Sequence, residues 1–220
     1  MPIMNGTTKD EGNFFIALGE YVSGPPRVAR GESDFNNFVI DTYSAAPFPP
    51  GSVDKILARY RLADYATPQL ALDAVQTDPL SCRSRNADQL LSKFVPVYAY
   101  EFNDRTAPFY FPDMPGFQSL AVHTSDIQYL FPHFHGGPEG ISRALNLAQA
   151  RLSEQLIAAW TNFARTGNPN GKGNIPWPRY QGQPDKSLFL SQDIPALSSF
   201  TDAQFSAAHR CDFWDAIIKY

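Results

Sequence analysis

The sequence contains only two cysteines, Cys82 and Cys211, among its 220 residues. Two cysteines permit one disulfide or two reduced thiols, and they are too few for a cysteine-based zinc cluster. Basic residues are also sparse, because 18 Lys and Arg stand against 22 Asp and Glu and form no basic run. A surface that binds nucleic acid is therefore not expected.

Long apolar segments are absent as well. No stretch approaches the ~18 consecutive apolar residues that a membrane-spanning helix needs, so no membrane span is expected. The first residues, MPIMNGTTKDEG, lack the basic start and apolar run of a secretory signal, and they indicate a strand entered from preceding chain. Hydrophobic residues nevertheless make up 43% of the sequence, which is typical of a globular domain with a sizeable core.

Three segments have the composition of strands: PIMNGTT at the start, VPVYAYEF in the middle and KSLFLS near the end. VPVYAYEF is nearly continuous in apolar, β-branched and aromatic residues, which predicts a buried strand. Because helical patterns alternate with these strands, the sequence indicates an α/β fold. Three strands are few for this much helix, so further strands of the sheet are expected outside this sequence.

Helices are predicted where apolar residues recur at helical spacing. The clearest pattern runs from Leu145 to Phe163, and Gly167 with Pro169 should end that helix. SDFNNFVIDTY and SVDKILARY are also predicted to be helical. We expect two separate helices, TPQLALDAVQTD and SRNADQLLSKF, on either side of Cys82, and one amphipathic helix over FSAAHRCDFWDAIIKY.

The stretch GESDF, residues 31–35, contains the first three residues of the Gly-x-Ser-x-Gly motif that carries the nucleophile of many serine hydrolases. That motif places its serine on a strained turn after an apolar strand and needs a small residue two positions later. Here SGPPRVAR precedes the stretch, and Phe35 stands where glycine is needed. Ser33 is therefore predicted to cap a helix rather than to act as a nucleophile.

Other side chains suited to catalysis occur at two places. Asp10 and Glu11 follow the first predicted strand. A carboxylate at the end of such a strand faces the crevice in which α/β folds bind ligands. The alternative is that the pair only caps the next helix. His123 lies in a loop-rich stretch and could act as a general base, although a lone histidine is often only a loop or core residue.

The remaining histidines carry weaker signals. His133 and His135 alternate as metal ligands can, but no third ligand is evident, so no metal site is expected. His209 lies in the last predicted helix and is interpreted as a packing or surface residue. These three histidines therefore receive no catalytic role.

Four segments in order resemble type-B carboxylesterases, the carboxylesterase and cholinesterase family within the α/β-hydrolase fold. GTTKDEGNFF is similar to the family's Gly-x-x-x-x-Glu-Gly-x-x-Phe segment, which holds the catalytic acid. AVHTSDIQYLF is similar to the segment His-x-x-Glu-Leu-x-Tyr-Val-Phe, which opens with the catalytic histidine. AAWTNFARTGNPN, followed by WPRY, resembles the Trp-x-x-Phe-Ala-x-x-Gly-x-Pro-Asn helix end, and CDFWD resembles the final Cys-x-Phe-Trp signature.

The resemblance implies that Glu11 is the acid and His123 the base of a Ser-Glu-His triad. His123 would remove the proton of a serine that attacks an ester carbonyl, while Glu11 would hold the histidine tautomer and stabilise the imidazolium. Asp126 stands where the family has Glu, a conservative change that concerns a supporting hydrogen bond. Such a reaction uses no metal or cofactor, so none is expected.

The family's nucleophile segment, Gly-Glu-Ser-Ala-Gly, and its glycine-rich oxyanion loop precede the acid segment, and neither occurs in this sequence. Ser33 follows Glu11 and so lies in the wrong order, because the triad of this fold runs Ser, acid, His along the chain. Residues 1–220 are therefore expected to be a single partial domain. It would be the C-terminal portion of an α/β-hydrolase, with few strands of the central sheet flanked by helices.

The intact protein is expected to be a serine carboxylesterase that hydrolyses a small-molecule ester, whereas this chain alone should be inactive. A complementary N-terminal chain of the same enzyme would be the partner that supplies the nucleophile. The alternative is a non-catalytic interaction module, because the cholinesterase-like family includes adhesion proteins that keep the fold and lose the triad. The presence of both Glu11 and His123 argues against that alternative.

The resemblance extends to the two cysteines. Many family members join a cysteine at the position of Cys82 to the cysteine of the Cys-x-Phe-Trp motif, here Cys211. This implies a Cys82–Cys211 disulfide, against the alternative of two reduced core thiols. Since disulfides persist in oxidising compartments, the enzyme is expected to be secreted or periplasmic.

Overall fold

The computed structural model describes residues 1–23, 30–136, 140–171 and 174–218. The strands are β1 (Ile3–Thr8), β2 (Val97–Phe102), β3 (Leu188–Gln192) and β4 (Ser198–Thr201). The helices are α1 (Gly12–Ser23), α2 (Glu32–Tyr43), α3 (Ser52–Arg59), α4 (Pro68–Leu91), α5 (Ile127–Leu130), α6 (Leu147–Thr166), α7 (Asp202–Ala208) and α8 (Cys211–Ile217). No helix formed by these residues combines the length and the apolar character needed to cross a bilayer.

The four strands form one sheet in the order β1-β2-β3-β4. Strands β1, β2 and β3 run parallel, and β4 is antiparallel to β3. The three predicted strands are confirmed, as is the α/β class, whereas β4 was not predicted. Because the parallel strands end at the same edge of the sheet, the segments that follow β1 and β2 lie side by side.

Strand β2 separates two hydrophobic layers because its side chains alternate between the faces of the sheet. Val97 and Ala99 contribute to the larger core, between the sheet and helices that include α1 to α4 and α8. Tyr98 faces the other layer, where it packs with Ala159 of α6. The sheet that carries the site is therefore held between helices on both faces.

Helix α4 is continuous over Pro68–Leu91, so the prediction of two separate helices was wrong. Pro79 lies inside this helix and has no N–H to donate to the carbonyl oxygen of Val75, four residues earlier. The hydroxyl of Tyr43, at the end of α2, donates a hydrogen bond of 3.1 Å to that oxygen. A side chain from another helix thus replaces the missing main-chain bond, and the helix continues through its proline.

The final segment forms two short helices instead of the single predicted one. The break falls at His209 and Arg210, and Arg210 has a left-handed backbone with φ 54°. The guanidinium of Arg210 donates to Asp78 at 2.8 Å and to the hydroxyl of Tyr65 at 3.0 Å. These contacts favour the break over the continuous helix that the apolar pattern predicted.

Helix α2 starts at Glu32, so the prediction that Ser33 caps it was wrong. Gly31 is the N-cap, and its N–H donates to the carboxylate of Asp34 at 2.7 Å. Ser33 is exposed on the first turn of the helix. Residues 24–29, within the stretch SGPPRVAR that argued against a nucleophile at Ser33, lie outside the described residues.

Cys82 lies in α4 and Cys211 at the start of α8. The sulfur atoms of Cys82 and Cys211 are 2.05 Å apart, and their Cα atoms are 5.2 Å apart. Both residues are fully buried, and the Cys211 end lies directly after the break between α7 and α8. The two sulfur atoms are thus within bonding distance, where the last helix packs against the longest helix of the fold.

Candidate active site

Glu11 lies in the turn between β1 and α1, at the carboxyl edge of the sheet. The main-chain N–H of Thr8 donates to its Oε1 atom at 2.7 Å, and the residue is only 8% exposed. On the α1 side, the N–H of Gly12 donates to the hydroxyl of Thr77 at 2.9 Å. The carboxylate is thus fixed from both ends of the turn, with Oε2 left for another partner.

His123 is presented by a tight turn in the segment that follows β2. The N–H of Ser125 donates to the carbonyl oxygen of Val122 at 3.0 Å, and the two residues Leu120 and Thr124 have left-handed backbones with φ 58° and 74°. Non-glycine residues adopt this conformation only where surrounding contacts enforce it. The turn therefore has a defined shape that directs the imidazole toward β1.

The carboxylate of Glu11 and the imidazole of His123 are in direct contact, with 2.6 Å between Oε2 and Nδ1. The hydrogen bond to Glu11 raises the pKa of His123, and burial opposes this rise only in part. The His123 side chain is 48% exposed, and no described residue hydrogen-bonds its other nitrogen, Nε2. Nδ1–H directed at a carboxylate leaves Nε2 as the atom that can accept a proton.

Two aromatic rings pack against the imidazole. Phe14 meets it edge-on, with 5.5 Å between ring centroids, and Phe15 stacks on it at 5.8 Å. Phe14 also stacks on Phe111 at 5.8 Å. Contact with these two rings limits the tilt of the imidazole.

The neighbouring acid, Asp10, has different partners from Glu11. Its carboxylate accepts two hydrogen bonds from Arg105, at 2.6 and 3.0 Å, and one from the N–H of Ala121 at 3.1 Å. Burial raises the pKa of Asp10, and the ion pair with Arg105 opposes that rise. The adjacent acids are therefore not equivalent, because only Glu11 contacts the histidine.

Asp126 is half-buried close to the pair. Burial and the nearby charge of Glu11 raise the pKa of its carboxyl group. Among the described residues, no hydrogen bond joins the Asp126 side chain to His123. The nearby negative charge of Asp126 nevertheless contributes to the raised pKa of His123.

The other candidates lie apart from this pair. Ser33 makes no hydrogen bond to His123 within the described part of the chain. His133 and His135 are exposed, and no group of three or more metal-ligating side chains occurs in the described ranges.

Sequence reasoning missed a buried ionic cluster around His209. The Nδ1 atom of His209 lies 3.1 Å from Asp78, and its Nε2 atom lies 2.5 Å from Glu101. Burial lowers the pKa of this imidazole, but the hydrogen bonds to both carboxylates overcome that effect and raise it to about 9. One signal was available in the sequence. Asp78 lies shortly before Cys82 and His209 shortly before Cys211, so the cysteine pairing implied by the resemblance would also bring Asp78 and His209 together.

Comparison with known proteins decides the family. The family model described as "Carboxylesterase family" matches residues 1–214. The chain belongs to the carboxylesterase family. A solved structure described as a thermophylic PNB esterase shares its fold, with a TM-score of 0.59 and 21% identity over 96% of this chain and 38% of that chain. The observed sheet and helices are accordingly part of an α/β-hydrolase fold.

Curated relatives share sequence over a smaller part of their own length. Carboxylesterase 3 of Pongo abelii is 37% identical over 126 residues, which cover 54% of this chain and 20% of that protein. Acylcarnitine hydrolase of Mus musculus is 27% identical over 183 residues, which cover 81% of this chain and 31% of that protein. The chain thus spans less than a third of the length of these relatives.

Proposed function

We propose that this chain forms part of a carboxylic-ester hydrolase and supplies two members of a Ser-Glu-His triad, Glu11 and His123. The observation that carries the proposal is the contact of 2.6 Å between Glu11 Oε2 and His123 Nδ1. Family membership supports the reaction class, because carboxylesterases are ester hydrolases. The substrate class is a small-molecule carboxylic ester.

In the proposed mechanism, Nε2 of His123 takes the proton of a serine hydroxyl while the serine oxygen attacks the ester carbonyl. The alcohol leaves with that proton, and the acyl-serine formed is then hydrolysed by a water molecule that His123 activates in the same way. Glu11 accepts the Nδ1–H throughout, so it holds the productive tautomer and stabilises the imidazolium. The half-exposed side chain of His123 is consistent with a nucleophile that approaches from outside the described residues.

The nucleophile and the oxyanion donors would come from a segment outside this sequence, which contains no Gly-x-Ser-x-Gly motif. One further observation supports such a partner. Strand β1 has a single strand neighbour among the described residues, β2, so its other edge offers free main-chain groups. A complementary N-terminal portion of the same enzyme could pair there and bring its serine to the edge that carries Glu11.

We also propose that Cys82 and Cys211 form a disulfide in the native protein, and that the protein works in a secreted or periplasmic compartment. The bonding distance between the two sulfur atoms supports the first part. The second part follows because such bonds are kept in oxidising compartments. An interaction module without catalysis finds less support, since it would not need the Glu11–His123 contact.

The decisive experiment for the catalytic pair is an NMR titration of His123 in the isotopically labelled chain. We expect its pKa to lie above the ordinary value of 6.5 and to fall in Glu11→Gln. Glu154→Gln, at an exposed position on α6, is the matched control and should leave the titration unchanged. A His123 that titrates identically in wild type and Glu11→Gln would refute the proposed pair.

Activity is tested separately. This chain alone should show neither turnover of an activated ester nor labelling by a fluorophosphonate that reacts with activated serines. In the longer protein that contains the nucleophile, Glu11→Gln should lower kcat by up to about 10⁴. Labelling of Ser33 in the chain alone, abolished by Ser33→Ala, would contradict the assignment.

A further inference from the structure

Three consecutive residues after β1 each bind a different partner. Lys9 Nζ lies 3.4 Å from the carboxylate of Glu101 on β2, Asp10 binds Arg105, and Glu11 binds His123. Only the last of these contacts involves the proposed catalytic groups. The other two fix the backbone of the turn that carries Glu11.

Asp10 has a feature that Lys9 lacks, because it bonds directly to the segment that carries His123. Its N–H donates to the carbonyl oxygen of Ala121 at 3.0 Å, and its Oδ2 atom accepts from the N–H of Ala121 at 3.1 Å. Asp10 and Val122 thereby form a parallel bridge. This bridge lies one residue before Glu11 and one residue before His123.

We propose that Asp10, held by Arg105, is a positioning residue that sets the distance between Glu11 and His123. The inference rests on the proposed function, since it concerns the same pair. Asp10 does not touch the imidazole. It acts by joining the Glu11 turn to the His123 turn through both main chain and side chain.

The geometry of the two turns explains why a positioning residue is needed. Glu11 and His123 are 112 residues apart in sequence, and the His123 side chain is half-exposed, so burial alone does not fix the ring. A displacement of about 1 Å would break a hydrogen bond of this length and can cost about 10² in rate. Arg105 orients the Asp10 carboxylate by a two-pronged hydrogen bond, which leaves Oδ2 directed at Ala121.

Positioning and charge can be separated by two substitutions at Asp10. Asp10→Asn removes the charge but keeps an oxygen that can accept from Ala121, whereas Asp10→Ala removes both. If Asp10 acts by position, the pKa of His123 should fall less in Asp10→Asn, which keeps an acceptor for Ala121, than in Asp10→Ala, where it should fall toward 6.5. Equal falls in the two variants would show a charge effect and overturn the inference.

Arg105→Gln gives a second test at a site that tolerates change, because the Arg105 side chain is 52% exposed. Loss of a nearby positive charge by itself favours the imidazolium and would raise the pKa of His123. Loss of positioning predicts the opposite, a fall. An unchanged or raised pKa would therefore overturn the inference, and Arg105→Lys should restore part of the wild-type value.

The matched control is Arg61→Gln. Arg61 makes a similar two-pronged bond to Asp64, at 2.8 and 2.9 Å, at a more exposed place, and Arg61 is not hydrogen-bonded to either turn in the described part of the chain. It should leave the His123 titration unchanged.

If Glu11→Gln lowers the pKa of His123 while Asp10→Ala and Arg105→Gln do not, only the positioning inference fails. If Glu11→Gln has no effect, the proposed pair fails and the positioning inference fails with it.

Discussion

The hydroxyl of Tyr43 occupies the place of the main-chain donor that Pro79 removes, 3.1 Å from the carbonyl oxygen of Val75. Tyr43 is almost completely buried, and burial raises the pKa of its phenol, so the hydroxyl stays protonated and remains a donor. One side chain on α2 therefore supports the uninterrupted course of α4, the helix that also carries Asp78 and Cys82.

Tyr43→Phe should consequently destabilise the protein by about 1–3 kcal/mol, because it leaves the buried Val75 oxygen without a partner. In a Pro79→Ala background the main-chain N–H of residue 79 can bind that oxygen, and the same substitution should cost much less. Urea unfolding of the four proteins in this double-mutant cycle measures the coupling. Equal costs in both backgrounds would count against the proposed replacement of the bond.

The buried His209 should make stability depend on pH above neutrality. Its folded-state pKa of about 9 exceeds the ordinary value of 6.5, so the folded protein binds this proton more tightly than the unfolded chain does. The contribution is complete below pH 6.5, declines as pH rises and is lost above about 9. It amounts to on the order of 3 kcal/mol, measurable as the free energy of unfolding over this range.

His209→Gln is the control for this prediction. The variant should be less stable at neutral pH, since Asp78 and Glu101 lose their shared cationic partner. Its stability should also decline less between neutral pH and pH 9 than that of the wild type. Parallel curves for the two proteins would indicate that another group, and not His209, causes the decline.

Reduction of the Cys82–Cys211 bridge should lower the free energy of unfolding. The decrease should be larger than the removal of two buried groups of the size of a methyl would cause. The bridge closes a loop with a sequence separation of 129, and in the simple chain-entropy treatment such a loop contributes roughly 4–5 kcal/mol. Mass spectrometry of unreduced peptides tests the bond itself. Unfolding of Cys82→Ala/Cys211→Ala beside the wild type tests its contribution, and equal midpoints would contradict it.

Gly167 ends α6 in a left-handed conformation with φ 72°, and a Cβ atom there would lie 2.8 Å from the ring of Pro2. Gly51 has a similar φ of 80° but no atom within 4 Å of its Cβ position. Both Gly→Ala substitutions should cost about 1 kcal/mol for backbone strain. Gly167→Ala should cost more, because Pro2 must also move, and thermal unfolding of both variants compares them.

Sequence predicted the parts of the fold that depend on local composition. β1, β2 and β3 were predicted from apolar and β-branched residues, whereas β4 has the polar sequence SSFT and forms because β3 offers it a pairing edge. The predicted helix TPQLALDAVQTD ended just before Pro79, whereas the bond from the distant Tyr43 lets the observed helix continue through that proline. Arg210 has a left-handed backbone and contacts Asp78 and Tyr65. Helical periodicity cannot reveal contacts with such distant residues.

The candidate site shows the same division. Glu11 and His123 were predicted from two motifs, and the structure brings them together. The partners of Asp10 were not predicted, because Arg105 and Ala121 lie about a hundred residues away and carry no motif. His209 is buried, as its interpretation as a packing residue implies, but its raised pKa was not predicted, because it depends on two carboxylates that only the folded chain assembles.

Strand β1 is both the free border of the described sheet and the strand whose end carries Glu11. Any strand that pairs with this border would restrain the backbone that leads into the Lys9–Glu11 turn. Binding of such a strand and formation of the Glu11–His123 contact would then be thermodynamically linked, and each would strengthen the other by the same factor. The fraction of molecules with the Glu11–His123 contact formed would in this way depend on whether another strand has paired with β1.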